Sequence, residues 1–177
     1  MWPPVLNRGM DRTNLDDVES VPHFMGVNSH RKALAQELEG MGFAATYFEL
    51  DPGEAFSGGL HTHTDQEELF VVLEGEATWE TRPDPGAETE TFAVGEGGAV
   101  HFEADGVFQQ GRNESGAVVR GFAIGVPGAR HSWAGVRSLV DCPDCGRETV
   151  FAFEDHDERQ PDPADLTAAC TECGHEL

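Results

Sequence analysis

The stretch that decides the fold is residues 60–75, LHTHTDQEELFVVLEG, in which two histidines precede an apolar run. Side chains alternate between the two faces of a β-strand, so His61 and His63 would point the same way. Glu68 opens the next strand after a short polar turn, and Gly75 allows the tight turn that returns the chain. Two imidazoles and a carboxylate that converge on one interior point suit a divalent transition metal.

Short strand-like segments continue on both sides of this stretch, separated by Gly, Pro and Asp residues. Many short strands at even spacing, with almost no helix, favour a β-sandwich or β-barrel. The absence of an internal repeat predicts one barrel unit rather than two fused ones. We predict strands at residues 45–50, 69–73, 77–81, 89–94, 99–102, 107–110 and 117–124.

The motif resembles the first signature of the cupin family, which is Gly, His-x-His, then Glu, six residues and Gly. Residues 97–113 are similar to a degraded second signature, in which Asn113 is the family's asparagine and Gln109 replaces the last ligand histidine. The resemblance covers about residues 44–126 and extends to haloarchaeal cupins. It implies an all-β cupin barrel, a double-stranded β-helix or jelly roll.

The resemblance also implies a metal in the barrel, held by His61, His63, Glu68 and Gln109. The expected cofactor is a divalent transition metal: Fe, Mn, Ni or Zn. An amide oxygen binds such metals more weakly than an imidazole does, so Gln109 either ligates weakly or orders a water molecule. The alternative is a decayed, metal-free barrel.

The rest of the chain divides around this barrel. Residues 1–43 form an N-terminal segment, in which apolar residues at helical spacing predict a short helix over residues 29–39. Residues 44–126 form the barrel, and residues 127–140 are expected to be a linker or a covering segment. Residues 141–177 contain all four cysteines.

The cysteines form two matching knuckles, Cys142-Pro-Asp-Cys145-Gly and Cys170-Thr-Glu-Cys173-Gly. Two such pairs supply the four thiolates of a tetrahedral zinc site, so we predict a zinc ribbon with a hairpin of residues 149–153 and 166–169. The alternatives are two disulfides, which a reducing cytoplasm disfavours, or a redox dithiol, which needs only one pair. The ribbon would be structural or would contact another protein.

The chain of 177 residues is strongly acidic, with 33 Asp and Glu residues against 11 Lys and Arg residues and a net charge of −22. This balance, with Lys32 as the single lysine, predicts adaptation to concentrated salt. A negative surface repels nucleic acid and anionic lipid, so neither is an expected partner. No apolar stretch is long enough to span a membrane, and residues 1–9 lack a signal peptide core, so we expect a cytoplasmic protein.

Side-chain orientation gives two further expectations. Arg120 should face outward and pair with a carboxylate; the alternative is an inward Arg120 that binds an anionic substrate with two hydrogen bonds. Strand alternation makes five aromatic residues candidates for the barrel interior: Phe48, Phe70, Trp79, Phe108 and Phe122.

Fold does not determine function in this family, which includes dioxygenases, decarboxylases, isomerases, sugar epimerases and non-catalytic binders. The first hypothesis is a metal-dependent cupin that binds or transforms a small organic molecule. The second is a non-catalytic binding or sensor protein whose ribbon faces a protein partner. A homodimer is expected in either case, and the substrate stays open.

Overall fold

The computed structural model describes residues 9–156 and 162–177, and these residues form twelve β-strands and four short 3₁₀ helices. The 3₁₀ helices are Leu15–Asp17, Leu34–Gln36, Trp133–Gly135 and Pro163–Asp165. The strands are β1 (His30–Ala33), β2 (Ala44–Leu50), β3 (His61–His63), β4 (Glu67–Glu74), β5 (Glu76–Arg82), β6 (Glu90–Gly95), β7 (Ala99–Phe102), β8 (Phe108–Arg112), β9 (Val119–Val126), β10 (Val136–Cys142), β11 (Arg147–Phe153) and β12 (Ala168–Cys170).

The strands form two antiparallel sheets, in the orders β1-β2-β9-β4-β7 and β12-β11-β10-β3-β8-β5-β6. The two sheets enclose the barrel core, as the sequence predicts for an all-β barrel, and a second, small core lies at the C-terminal cysteines. All seven predicted strands are confirmed, with ends that differ by at most two residues. None of the helices described here has the length and hydropathy of a membrane-spanning segment.

Aromatic side chains fill the barrel core. Trp79 is fully buried and stacks on Phe56, which also packs edge to face against Phe48 and Phe70. Gly111 makes room for the indole, because a Cβ atom there would lie 2.6 Å from Trp79 Cε2. Of the predicted interior aromatics Phe48, Phe70 and Trp79 join this core, and Phe108 is buried outside it.

The prediction for Phe122 is wrong. Val119 and Gly121 are the buried residues on this part of β9, so Phe122 shares the opposite face with Arg120 and packs against Tyr47. Arg120 is paired as predicted, with Glu49 (2.8 Å) and Glu74 (2.5 Å). Residues two apart on a strand share a face, so an outward Arg120 requires an outward Phe122.

The predicted short N-terminal helix over residues 29–39 is wrong for most of its length. Residues 30–33 instead form β1, an edge strand in which Arg31 lies opposite Phe48 and Lys32 opposite Tyr47. Only the 3₁₀ turn at Leu34–Gln36 follows. Pairing with β2 satisfies the backbone of this segment and outweighs the weak preference that its apolar spacing expresses.

The segment expected to be a linker or a covering segment contains most of β10. This strand pairs with β3 on one side and with β11 on the other, so the second sheet runs without a break from the barrel to the C-terminal cysteines. The predicted hairpin is confirmed, because β11 and β12 pair with Phe151 opposite Cys170. The loop that connects β11 and β12 includes residues 157–161, which lie outside the described residues. Residues 1–8, on which the signal-peptide prediction mostly rests, also lie outside them.

Candidate metal and ligand sites

His61, His63 and Glu68, here called the barrel triad, come together at one end of the barrel. Their ligand atoms all lie within 4.8 Å of one another. The Nε2 atoms of His61 and His63 are 3.8 Å and 3.6 Å from Glu68 Oε2. The histidines belong to one sheet and Glu68 to the other, so the triad forms where the two sheets face each other.

His61 has the tautomer that a metal ligand needs. Its Nδ1 lies 3.0 Å from the carbonyl oxygen of Gly59, and a carbonyl can only accept, so Nδ1 carries the proton. The Nε2 lone pair is then directed at the triad centre. Metal-binding histidines are commonly oriented in this way through their other ring nitrogen.

Burial alters the pKa of every triad member. It lowers the pKa of His61 to about 4 and that of His63 to about 2, and it raises the pKa of Glu68 to about 7. Both imidazoles are therefore neutral at neutral pH, and neutral imidazole is the form that binds metal. A divalent cation at this point would favour ionised Glu68.

Gln109 lies opposite His61 across the pair of β3 and β8, as the motif spacing indicates. Its Nε2 donates to Glu68 Oε2 at 2.9 Å and lies 3.5 Å from His61 Nε2. Its Oε1 is buried with no hydrogen-bond partner. Rotating the amide by a half turn would exchange these atoms and direct the oxygen at the triad, as a weak metal ligand requires.

Two cavities adjoin the triad. The smaller, of about 10 Å³, is lined by His63, Glu68 and Gln109 and has the size of one water molecule. The larger, of about 510 Å³, is lined by all three triad residues and has the volume of a small-molecule site. Its remaining wall comes from the barrel, from the N-terminal segment and from β10 to β12.

Several residues of the larger cavity were missed by sequence reasoning. His131 has its ring centroid 4.9 Å from that of His63. Trp133 packs edge to face against Phe24 and at a tilt against Phe153, which joins the N-terminal segment to the C-terminal hairpin. No sequence signal marks these residues, because only the fold brings their segments together.

The four cysteines, here called the cysteine cluster, are reduced, and their sulfurs lie within 4.8 Å of one another. The Sγ atoms of Cys142 and Cys173 are 3.6 Å apart, and those of Cys145 and Cys170 are 3.9 Å apart. A tetrahedral site with Zn–S bonds of ~2.3 Å places its sulfurs ~3.8 Å from each other. The spacing therefore fits a tetrahedral metal ion and is far too long for disulfide bonds.

Glycines shape both knuckles as their sequence indicates. Gly146 and Gly174 have φ angles of +67° and +77°, and their N–H groups donate at 2.9 Å to the carbonyls of Cys142 and Cys170. The Thr149 hydroxyl lies 3.3 Å from Cys170 Sγ, and this hydrogen bond is the main cause that lowers the pKa of Cys170 to about 6. Local donors of this kind favour a thiolate over a thiol.

Comparison with known proteins agrees with this architecture. Residues 46–125 match the family model of the cupin domain. No curated protein matches the chain. The fold resembles a cupin-superfamily sugar phosphate isomerase from Silicibacter pomeroyi, with 16% identity, a TM-score of 0.61 and coverage of 93% of this chain and 95% of that one.

Two further solved structures share the fold. A protein from Acidithiobacillus ferrooxidans, proposed to be a sugar phosphate isomerase, has 16% identity, a TM-score of 0.59 and coverage of 91% and 89%. A variant of the oxalate decarboxylase of B. subtilis has 17% identity and a TM-score of 0.55, with coverage of 77% of this chain and 35% of that one. Together with the barrel geometry, the match shows that residues 46–125 are a cupin domain and that the chain has the cupin fold.

Proposed function

We propose that this chain is a metal-dependent cupin that binds or transforms a small organic molecule in the 510 Å³ cavity. The observation that carries the proposal is the barrel triad, whose three donor atoms converge within 4.8 Å at the wall of that cavity. When bound, a divalent Fe, Mn, Ni or Zn ion supplies Lewis-acid or redox chemistry. A half turn of the Gln109 amide would direct its buried, partnerless Oε1 at the triad as a fourth donor or a water-positioning group, in place of its hydrogen bond to Glu68.

The chain's own residues have defined tasks in this proposal. His61 and His63 hold the ion as neutral donors, and the Gly59 carbonyl fixes the ring of His61. Glu68 supplies the negative charge, and Gln109 holds that carboxylate in place through the 2.9 Å hydrogen bond. The apolar cavity wall excludes water from the ligand, which strengthens polar contacts within the site.

The fold neighbours indicate the reaction classes to examine first, which are isomerisation and decarboxylation. The family resemblance adds oxygen-dependent chemistry. Likeness of fold alone does not select among these classes.

The cysteine cluster is proposed to bind structural zinc. The zinc would hold the two knuckles together at the end of the hairpin of β11 and β12, next to the small core of Cys142, Phe151, Ala168 and Cys170. Such sites contribute their binding energy directly to folding. We also propose a cytoplasmic homodimer that does not bind nucleic acid.

The second candidate is a non-catalytic binding or sensor protein whose ribbon contacts a protein partner. The presence of Gln109 where the family has an imidazole favours it, because a site with weaker donors holds a metal less firmly. A tightly held barrel metal with turnover supports the first candidate. An empty barrel, or redox-inert zinc with ligand binding and no turnover, supports the second.

Elemental analysis of the full chain and of two variants tests the proposal. Wild-type protein should hold two metal ions per chain, His63→Ala should retain only the cysteine-bound zinc, and Cys145→Ser should retain only the barrel metal. The variants assign each ion to its site without removing the hairpin. One ion per chain in both wild type and His63→Ala would overturn the metal-dependent proposal.

A further inference from the structure

The large cavity contrasts in charge with the rest of the molecule. The chain has 33 carboxylate residues, yet among the described residues Glu68 is the only Asp or Glu that lines the cavity. Two of the 11 cationic residues, Arg31 and Arg130, and four of the eight histidines also line it.

Arg31 occupies an inward position on β1. It lies directly opposite Phe48, and opposed residues of an antiparallel pair point to the same face. Phe48 belongs to the buried core, so Arg31 faces the barrel mouth while its neighbour Lys32 faces away from it. A planar guanidinium at this position can bind a carboxylate or a phosphate with two hydrogen bonds.

The segment before β1 is held firmly against the barrel. Asn28 is buried, donates to the Ala55 carbonyl at 2.8 Å and is followed closely by β1. His23 accepts a hydrogen bond from the N–H of Met25 at its Nδ1, so the proton of the neutral ring is on Nε2. His23 lines the same cavity as Arg31, lies close enough to be affected by its charge, and can offer an N–H donor.

Another part of the cavity wall is apolar and aromatic. Trp133 is 7% exposed and contacts both Phe24 and Phe153, with ring centroids 5.8 Å apart in each pair. Val140 and Leu166 add aliphatic surface. This wall suits a hydrocarbon or aromatic body and offers little to a sugar-like molecule with many hydroxyl groups.

We propose that the ligand of this cavity is a small organic anion, a carboxylate or phosphate, with an apolar body. Arg31 binds the anionic group with help from His23, and the wall around Trp133 receives the apolar body. Both groups lie outside the cupin domain match of residues 46–125, so they determine the specificity of this chain rather than of the fold. The inference rests on the proposed role of the cavity as the ligand site.

Calorimetric titration of the full, metal-loaded chain with matched probes tests this inference at one fixed salt concentration. The probes are 3-phenylpropionate, phenylphosphonate and the neutral amide 3-phenylpropionamide. We expect at least one anion to bind about tenfold or more tightly than the amide, as loss of a charged hydrogen-bonded pair in a cavity implies. The preferred anion distinguishes a carboxylate from a phosphate ligand.

Variants distinguish the contribution of Arg31 to binding from that of the apolar wall around Trp133. Arg31→Gln should weaken binding of the preferred anion about tenfold and leave binding of the amide unchanged. Arg31→Lys should retain part of the preference for the anion. Lys32→Gln, on the opposite face of the same strand, should change neither. Trp133→Ala should weaken all three probes alike. Circular dichroism checks that each variant is folded.

Equal binding of anions and amide, absence of anion binding at millimolar concentration, or equal loss of both probe types in Arg31→Gln would overturn the inference. Failure of the proposed function has a different signature. An Arg31-dependent preference for anions in a chain without barrel metal would support this inference and contradict the metal-dependent function. A metal-loaded barrel without a preference for anions would support the metal-dependent function and contradict this inference.

Discussion

Ser138 and His61 lie directly opposite each other across the antiparallel pair of β10 and β3. The same strand that carries Ser138 ends at Cys142, so one strand joins the barrel triad to the cysteine cluster. Val140, Phe153 and Ala168 from this region also line the large cavity. The C-terminal hairpin is therefore part of the cavity wall, and deleting it would remove the neighbour of β10, the strand that pairs with β3 and its two histidines.

Replacing Cys145 or Cys173 with serine should remove the cysteine-bound zinc, since a tetrahedral thiolate site loses most of its affinity with one ligand. The hairpin should loosen while the barrel stays folded, because the barrel has its own aromatic core. Binding of 3-phenylpropionate should weaken as the cavity wall loosens. The measurements are zinc content, hydrogen exchange of β11 and calorimetry.

Thr171→Ser is a suitable control for these variants, because it lies within the knuckle and keeps a hydroxyl that can donate to the Val150 carbonyl. It should retain zinc. Oxidation of both cysteine pairs in protein purified under reducing conditions would contradict the zinc prediction.

Changes in the barrel triad should act on metal affinity. His61→Ala and His63→Ala should each abolish barrel metal binding, because neutral imidazole is the strongest neutral donor at this point. Gln109→His should raise affinity for divalent iron, manganese, nickel or zinc by supplying a further imidazole opposite His61. The measurement is metal titration in a Cys145→Ser background, in which the hairpin zinc is not counted.

His101→Ala provides the matched control for the metal titration. His101 is exposed and pairs with Glu67 at 2.9 Å on the outer face, so its loss should leave barrel metal unchanged. If the wild-type barrel binds no metal and Gln109→His gains none, the barrel is not a metal site and the non-catalytic binding function becomes the leading one.

Gly111→Ala should destabilise the barrel by about 1–3 kcal/mol, the usual cost of overpacking a dense core. The added methyl group would approach Trp79 Cε2 to 2.6 Å, and the indole is fully buried. Urea unfolding of the two proteins measures the difference. Gly116→Ala is the control, since nothing lies within 4 Å of its Cβ position; equal stability of all three proteins would contradict the prediction.

Stability should depend strongly on salt if the acidic composition reflects adaptation to concentrated salt. Repulsion among 33 carboxylates, opposed by only 11 cations, is long-ranged in dilute buffer and is screened within about 3 Å at 1 M salt. The melting temperature should therefore rise steeply between dilute buffer and molar potassium chloride. The triple variant Glu88→Lys, Glu90→Lys, Glu96→Lys should show a smaller rise, and a flat wild-type response would contradict the prediction.

The sequence predicts the convergence of His61, His63, Glu68 and Gln109 because that arrangement depends on strand parity and motif spacing. Both are local properties, and the resemblance to the cupin signatures supplies the register between the sheets. The cysteine hairpin is predictable for the same reason, since each knuckle is a local turn with its own glycine.

Other features escape prediction because they depend on distant partners. The residues of β1 have helical spacing, yet pairing with β2 determines their structure. The sequence of β10 resembles a linker because β3, the barrel strand with which it pairs, is far from it in the sequence. Pairing of β1 and β10 with the barrel strands brings the flanking segments to the barrel mouth. Only for this reason do these segments contribute Arg31, His131 and Trp133 to the cavity wall.

The stability of the metal-free chain should fall on acidification because of the buried histidines. The unfolded chain binds protons at both residues below pH ~6.5, whereas burial lowers the folded pKa of His61 to about 4 and that of His63 to about 2. The unfolded state therefore binds more protons between pH ~6.5 and 4, and each histidine removes up to ~1.4 kcal/mol per pH unit as the pH falls.

Glu68 acts in the opposite direction, since its raised pKa lets the folded chain retain a proton that the unfolded chain loses between pH 4.5 and 7. Two histidines outweigh one carboxyl group, so the net loss on acidification persists. Urea unfolding in a chelator from pH 7 to pH 4.5 should show a shallower decline for His63→Gln than for wild type, while His101→Gln matches wild type. Identical slopes for all three proteins would show that the triad histidines are not held neutral by the fold.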